Sequence, residues 1–199
     1  MGSVHLLMGT VGVVTAAALT PGPNNLIVMR LGARHGVPGA VPAIAAIAVG
    51  SVILVIVVAT GTGAAFAGNP RLLSILTDLG CLYLIWLGLS LIVRAGVSQG
   101  AAPSGSPGST LSLFGLQFVN PKAWVMALTA CSAMRVGTAE SSALLILAAL
   151  FVVIPIACLL LWSSLGSLLT TQLHRMPFRR RFDQLMGTLL VGSALVMAI

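Results

Sequence analysis

Residues 4–31 read VHLLMGTVGVVTAAALTPGPNNLIVMRL, and this stretch decides the fold. Val4–Leu19 is apolar, Thr20-Pro21-Gly22-Pro23-Asn24-Asn25 breaks the run, and Leu26–Leu31 resumes it. A long apolar run satisfies its backbone hydrogen bonds within a helix while its side chains face lipid. Proline removes a backbone donor and clashes with the preceding turn, which frees carbonyls. In hydrocarbon such a break persists where it faces protein or a watery cavity. Asn24 and Asn25 bring amide donors and acceptors to it. The resumed helix starts near them, with its positive dipole end available to an anionic group such as a carboxylate. Taken alone, the motif is equally well read as a plain turn with the asparagines capping the next piece.

The composition agrees with a membrane chain. Hydrophobic residues make up 58% of the sequence and charged residues 7%, with a mean hydropathy of +1.09. A soluble domain carries about 25% charged residues, so this chain cannot cover its surface with polar groups. A barrel would show short alternating strands, whereas the runs here are long and continuous. The expectation is an all-α integral membrane protein. Its 199 residues hold about six spans of roughly 20 residues each, with no soluble domain beside them. No Lys or Arg precedes the first run, so it reads as a retained span, not a signal peptide.

The remaining runs follow in order. A loop with Arg34, His35 and Gly36 leads to a second span at about Gly39–Phe66. Asn69-Pro70-Arg71 turns the chain into a third at about Leu72–Val93. The fourth, about Leu111–Met134, is interrupted by Asn120-Pro121-Lys122. The fifth runs from about Ser142 to Leu169 with a bend at Pro155. A basic stretch, His174 to Arg181, precedes a short last run at about Gln184–Ile199. Residues 95–110 (AGVSQGAAPSGSPGST) are small, polar and turn-forming, a flexible linker. The chain divides into a first three-span half (1–94), the linker (95–110) and a second three-span half (111–199), together one membrane domain. In each half the first span carries a proline-broken polar motif. An odd number of spans per half reverses the second, so the plan is two inverted three-helix repeats.

The net charge of +7 and pI near 11.2 do not imply nucleic acid, which needs basic residues clustered on one folded surface. Arg30, Arg34, Arg94, Arg175, Arg179, Arg180 and Arg181 fall on one side of a six-span plan, and Arg71 and Arg135 on the other. The positive-inside rule then places both termini outside the cytoplasm. Arg179-Arg180-Arg181 suits anionic lipid headgroups. Cys81, Cys131 and Cys158 lack CxxC spacing and a nearby His, and read as small buried residues. No metal site and no cofactor is expected.

Lys122 lies about ten residues into the fourth run, where a lysine costs several kcal/mol unless paired or hydrated. It is a functional candidate, with snorkelling or a bond to a neighbouring carbonyl as the structural alternative. Ion coupling wants a titratable group in the membrane. Among Asp78, Glu140 and Asp183 only Asp78 enters a run, and an interfacial pair with Arg71 is the favoured reading even there.

The PGPNN motif, followed by Arg34-His35-Gly36 and Gly39, resembles the first-span signature of the LysE/RhtB family of amino-acid exporters. Gly80, Tyr83-Leu84 and Leu87-Gly88 resemble its third-span pattern, and Asn120-Pro121-Lys122 its fourth-span motif. The resemblance covers nearly the whole chain in order, and the two polar motifs together are specific. One departure is Ala46, where the family often has a second glycine a turn before Gly50; the small-xxx-small spacing survives. The resemblance implies a small inner-membrane exporter of amino acids or derivatives, powered by an ion gradient, with a proton as the expected coupling ion. Its site would comprise Pro21, Gly22, Pro23, Asn24, Asn25, Asn120, Pro121 and Lys122, with Asp78 as coupling candidate. Small-residue helix faces suit a homodimer.

Three other readings compete. A metal or inorganic-ion exporter on a related scaffold would want acidic and sulfur ligands near its centre. A membrane enzyme would want a motif such as HExxH, which does not occur, and no His lies deep enough in a run to activate a serine. A non-transporting assembly protein leaves the matching breaks in the two halves unexplained.

Overall fold

Prolines at positions 23, 121 and 70 all stand at helix starts, where the missing N–H has no intrahelical acceptor to lose. These starts fix the architecture of the computed structural model, which describes residues 2–62, 69–95, 110–134, 141–173 and 175–198. The helices are α1 (Gly2–Leu19), α2 (Pro23–Val57), α3 (Pro70–Val93), α4 (Thr110–Val119), α5 (Pro121–Ala133), α6 (Ser141–Leu168), the short α7 (Thr170–Leu173) and α8 (Met176–Ala198). A π-helical turn, Val58–Thr62, ends α2. Every regular element among the described residues is helical.

The two predicted breaks are real. Thr20, Pro21 and Gly22 separate α1 from α2, and Asn120 alone separates α4 from α5. Two other expectations are corrected. The loop predicted at Arg34-His35-Gly36 is part of α2, which changes direction at Gly36 alone (φ 70°, ψ 175°). A left-handed φ is steric strain for an L side chain and none for glycine, so one residue does the work of a loop. Residues 23–35 thus form a half-helix and residues 37–57 a long helix. The basic stretch before the last run is also helical: α8 begins at Met176 and carries Arg179–Arg181 in its first turns. Helix α6 passes through Pro155 without leaving helical conformation. Most of the predicted linker, residues 96–109, lies outside the described residues, as does Glu140.

By length and composition two stretches can each cross a bilayer, Pro23–Gly61 and Ser142–Leu168. The apolar stretches His5–Leu19, Thr77–Val93 and Thr110–Val119 are shorter. The breaks account for the first and third of these, because each cuts a spanning run into pieces.

Packing follows the small residues. Helix α2 lies along α6, α3 along α8, α2 also meets α4, and α1 meets α5 and α6. Between lipid-solvated helices there is little hydrophobic drive, so close backbone approach holds the pairs together. A Cβ added to Gly88 would fall 2.6 Å from the Gly187 carbonyl oxygen, and one added to Gly187 2.5 Å from that of Gly88. Gly32 abuts the Ser163 backbone and Gly166 abuts that of Met29, joining the half-helix to α6 in the same way. Phe151 and Leu147 of α6 fill a core with Leu54 of α2 and Ala127 of α5. A second core joins Ile47 and Val28 to Leu113 and Leu159. The third sets Leu84 and Leu91 against Leu190, with Leu26 of the half-helix reaching into it.

Candidate functional site

The break between α1 and α2 leaves carbonyls at the end of one helix and N–H groups at the start of the next. The carbonyls are taken up by side chains. The Asn25 amide donates to the Ala18 oxygen at 3.0 Å and to the Thr20 oxygen at 2.9 Å. The Lys122 ammonium, arriving from α5, donates to Thr20 O at 2.6 Å and to Pro21 O at 3.4 Å. Lys122 therefore closes the C-terminus of a helix a hundred residues away, where a cation suits the negative dipole end. No carboxylate lies within 4.0 Å of it among the described residues. Two of its three N–H donors are engaged, and among the described residues its charge has no counter-ion.

Among the described residues the N–H groups have no such side-chain cover. Gly22 is the N-cap of α2 and offers no side-chain bond. The first backbone bond of α2 runs from Leu26 N–H to Gly22 O, which leaves the N–H groups of Asn24 and Asn25 outside the helical ladder. A Cβ placed on Gly22 would come within 3.3 Å of Lys122 Nζ. An uncapped positive helix end and a half-buried ammonium thus sit side by side. The second break differs: Asn120 caps α5 with its own side chain, accepting from the Lys122 N–H at 3.2 Å.

Both breaks open on one cavity of about 50 Å³ between α1, α2, α4, α5 and α6. A single water needs about 10–15 Å³ of such space, so the cavity has room for roughly three to five waters. Gly22, Pro23, Asn24, Asn25, Asn120 and Lys122 line it. Of the remaining predicted residues, Pro21 joins through its carbonyl, and Pro121 is buried against Gly80 of α3. The structure thus gathers the whole predicted pair of motifs at one place.

Sequence reading missed Gln117. This fully buried residue of α4 pairs with Asn24 amide to amide: Asn24 Nδ2 donates to Gln117 Oε1 at 3.0 Å and Gln117 Nε2 to Asn24 Oδ1 at 3.1 Å. The Ser51 hydroxyl, bonded to Ile47 O at 2.8 Å, lies 3.4 Å from the same Oε1. Gly50 makes room for this amide, since a Cβ there would meet Gln117 Cγ at 2.7 Å. The available signal was position: Gln117 stands one turn before Asn120 in an otherwise apolar run.

Asp78 lies elsewhere. It is exposed on α3, accepts a 3.5 Å bond from the Ser74 hydroxyl and does not line the cavity. The expected pair with Arg71 is absent among the described residues. The acid that does meet arginines is Asp183 of α8, 4.0 Å from Arg30 Nη2 and 3.8 Å from Arg179 Nε. It lies at the edge of the last apolar run. Burial raises its carboxyl above the ordinary value, and the charges of Arg30 and Arg179 offset this only in part. The three cysteines are free and buried. Among the described residues no three His, Cys, Asp or Glu side chains gather as metal ligands.

A family model described as LysE type translocator matches residues 15–199. The chain is 29% identical over 115 residues to a cysteine/O-acetylserine efflux protein of Salmonella choleraesuis, covering 58% of each chain. It is 36% identical over 110 residues to a leucine efflux protein of an Enterobacter species, covering 53% of this chain and 52% of that one. A leucine efflux protein of Klebsiella pneumoniae is 32% identical over 127 residues, covering 61% and 59%. The chain thus spans less than two thirds of the length of these relatives. No solved structure matches it.

Proposed function

The chain belongs to the LysE type translocator family, and from that premise we propose that it exports an amino acid or a close derivative across the cytoplasmic membrane by secondary active transport. The efflux proteins among its relatives support transport in place of covalent chemistry. The observation that carries the reading is the uncapped start of α2 beside the Lys122 ammonium. A cargo carboxylate there accepts from the Asn24 and Asn25 N–H groups and from the third Lys122 donor. Charge-assisted hydrogen bonds of this type contribute about 1.5–3 kcal/mol each. The Asn24–Gln117 amide pair, with Ser51 beside it, supplies polar partners for the rest of the cargo. At about 50 Å³ the cavity does not admit a side chain as large as that of leucine, so loading requires its walls to part. The Gly36 turn frees the half-helix 23–35 to move against the long helix 37–57.

In this reading the halves 1–94 and 111–199 form an inverted repeat. The second and third spans of one half pack against those of the other, α2 with α6 and α3 with α8. The arginine-rich side faces the cytoplasm and both termini face out. A proton gradient drives the exchange.

Growth protection against a panel of L-amino acids and toxic analogues, with and without expression, tests the reading. Protection against at least one of them is expected, together with accelerated efflux of that compound from loaded cells. If expression changes neither growth nor efflux for any member of the panel, the assignment is wrong.

A further inference from the structure

The half-helix 23–35 ends the central cavity at one tip and borders a second, larger cavity at the other. This vestibule, about 200 Å³, lies between α2, α7 and α8 and is lined by Arg30, Arg34, Thr170, Arg179 and Asp183. Arg30 and Arg179 flank the Asp183 carboxylate, which is only 17% exposed, and Arg34 lines the same cavity. The gaps of 4.0 and 3.8 Å between Asp183 and Arg30 or Arg179 exceed the ~3.2 Å limit of a good N–H···O bond. The opposite charges stand next to one another without consuming each other's hydrogen-bonding capacity. Such an arrangement is complementary to a small molecule that carries an anion and a cation on adjacent atoms.

A second observation connects the vestibule to the centre. Pro155, Leu159, Ser163 and Gly166 follow at steps of three or four residues and share one face of α6, and Thr170 opens α7 just beyond it. Pro155 and Leu159 line the central cavity, and Thr170 lines the vestibule. Midway, the fully buried Ser163 hydroxyl has no hydrogen-bond partner among the described residues. Buried polar groups are nearly always satisfied, and this exception lies against Gly32, where the half-helix packs on α6.

We propose that the vestibule is a second binding site, an intake station for a zwitterionic α-amino acid, with Arg30 and Arg179 holding its carboxylate and Asp183 its ammonium. This rests on the export reading above and adds a place where cargo is selected before it reaches Lys122. A compound with a carboxylate alone meets Asp183, and an amine alone meets the guanidiniums. The pairing of anion and ammonium discriminates against both. Phosphatidylethanolamine offers the same pairing from the lipid side, so the test includes it.

The full chain is reconstituted in phosphatidylcholine vesicles, and efflux of each L-α-amino acid and of O-acetylserine is measured against internal concentration. Asp183→Asn and Arg30→Gln should raise the half-saturating concentration about tenfold at an unchanged maximal rate, whereas Lys122→Gln should lower the maximal rate. Asp183→Glu should restore the wild-type value, and a melting curve for each variant checks that it folds. Unchanged half-saturation in folded Asp183→Asn, with efflux still dependent on Lys122, overturns the intake site and leaves export standing. A wild-type chain that exports no member of the panel overturns both. Phosphatidylethanolamine that raises half-saturation in the wild type but not in Asp183→Asn gives the site to the lipid and also overturns the assignment.

Discussion

The two helix breaks look alike in sequence and are built differently. The second, at Asn120, is a one-residue interruption that closes itself, with a side-chain cap on α5 and a proline in its first turn. The first, at Thr20-Pro21-Gly22, cannot close itself. Its carbonyls are served by Asn25 and by Lys122 of the other half, and its N–H groups are left open. The second break therefore acts as support for the first, and the uncapped one is where an anion can be held. Matching motifs in two halves need not have matching roles.

The sharpest way to break this contrast is Lys122→Met. It removes a charge-assisted bond from Thr20 O and the cation beside the α2 start. Each carbonyl left unsatisfied in a buried place costs about 1–3 kcal/mol. Efflux should fall by about a hundredfold, with the melting temperature of the purified protein reduced as well. Asn25→Ala comes next. It abandons two bonds to the end of α1 but keeps the ammonium, so stability should drop by roughly 2 kcal/mol, read as a shift in the melting curve, with efflux partly retained.

A smaller effect sharpens the picture of the cavity wall. Gly50→Ala places a methyl 2.7 Å from Gln117 Cγ, which should displace the amide from Asn24. The half-saturating concentration should then rise about three- to tenfold, and Gln117→Ala should show the same change while tolerating Gly50→Ala without further loss. The smallest effect is expected at the self-closing break. Asn120→Ala removes one cap, worth about 1 kcal/mol, and should lower the melting temperature with cargo half-saturation unaltered.

Much of this was legible in the sequence, because breaks in apolar runs are conspicuous against lipid. PGPNN and NPK stood out for their prolines and charge, and Gly22, Pro23, Asn24, Asn25, Asn120 and Lys122 of the two motifs line one cavity. Gln117 did not stand out, since a lone amide in an apolar run carries no proline to mark it and its partner is Asn24, 93 residues away. The half-helix 23–35 was hidden by Arg34-His35-Gly36, a polar string that reads as a loop although one left-handed glycine suffices to turn the chain. Asp183 was passed over for the same kind of reason. It stands at the edge of the last apolar run and not inside one, and only the fold brings Arg30 to it.

The central claim is that a cargo carboxylate is held between the open start of α2 and the Lys122 ammonium. It is tested most directly by comparing efflux of an exported amino acid with that of its carboxamide in inverted vesicles, using the wild type and Lys122→Gln. The account predicts that the wild type prefers the carboxylate at least tenfold and that Lys122→Gln, still folded, loses this preference. Equal preference in the two proteins would contradict it.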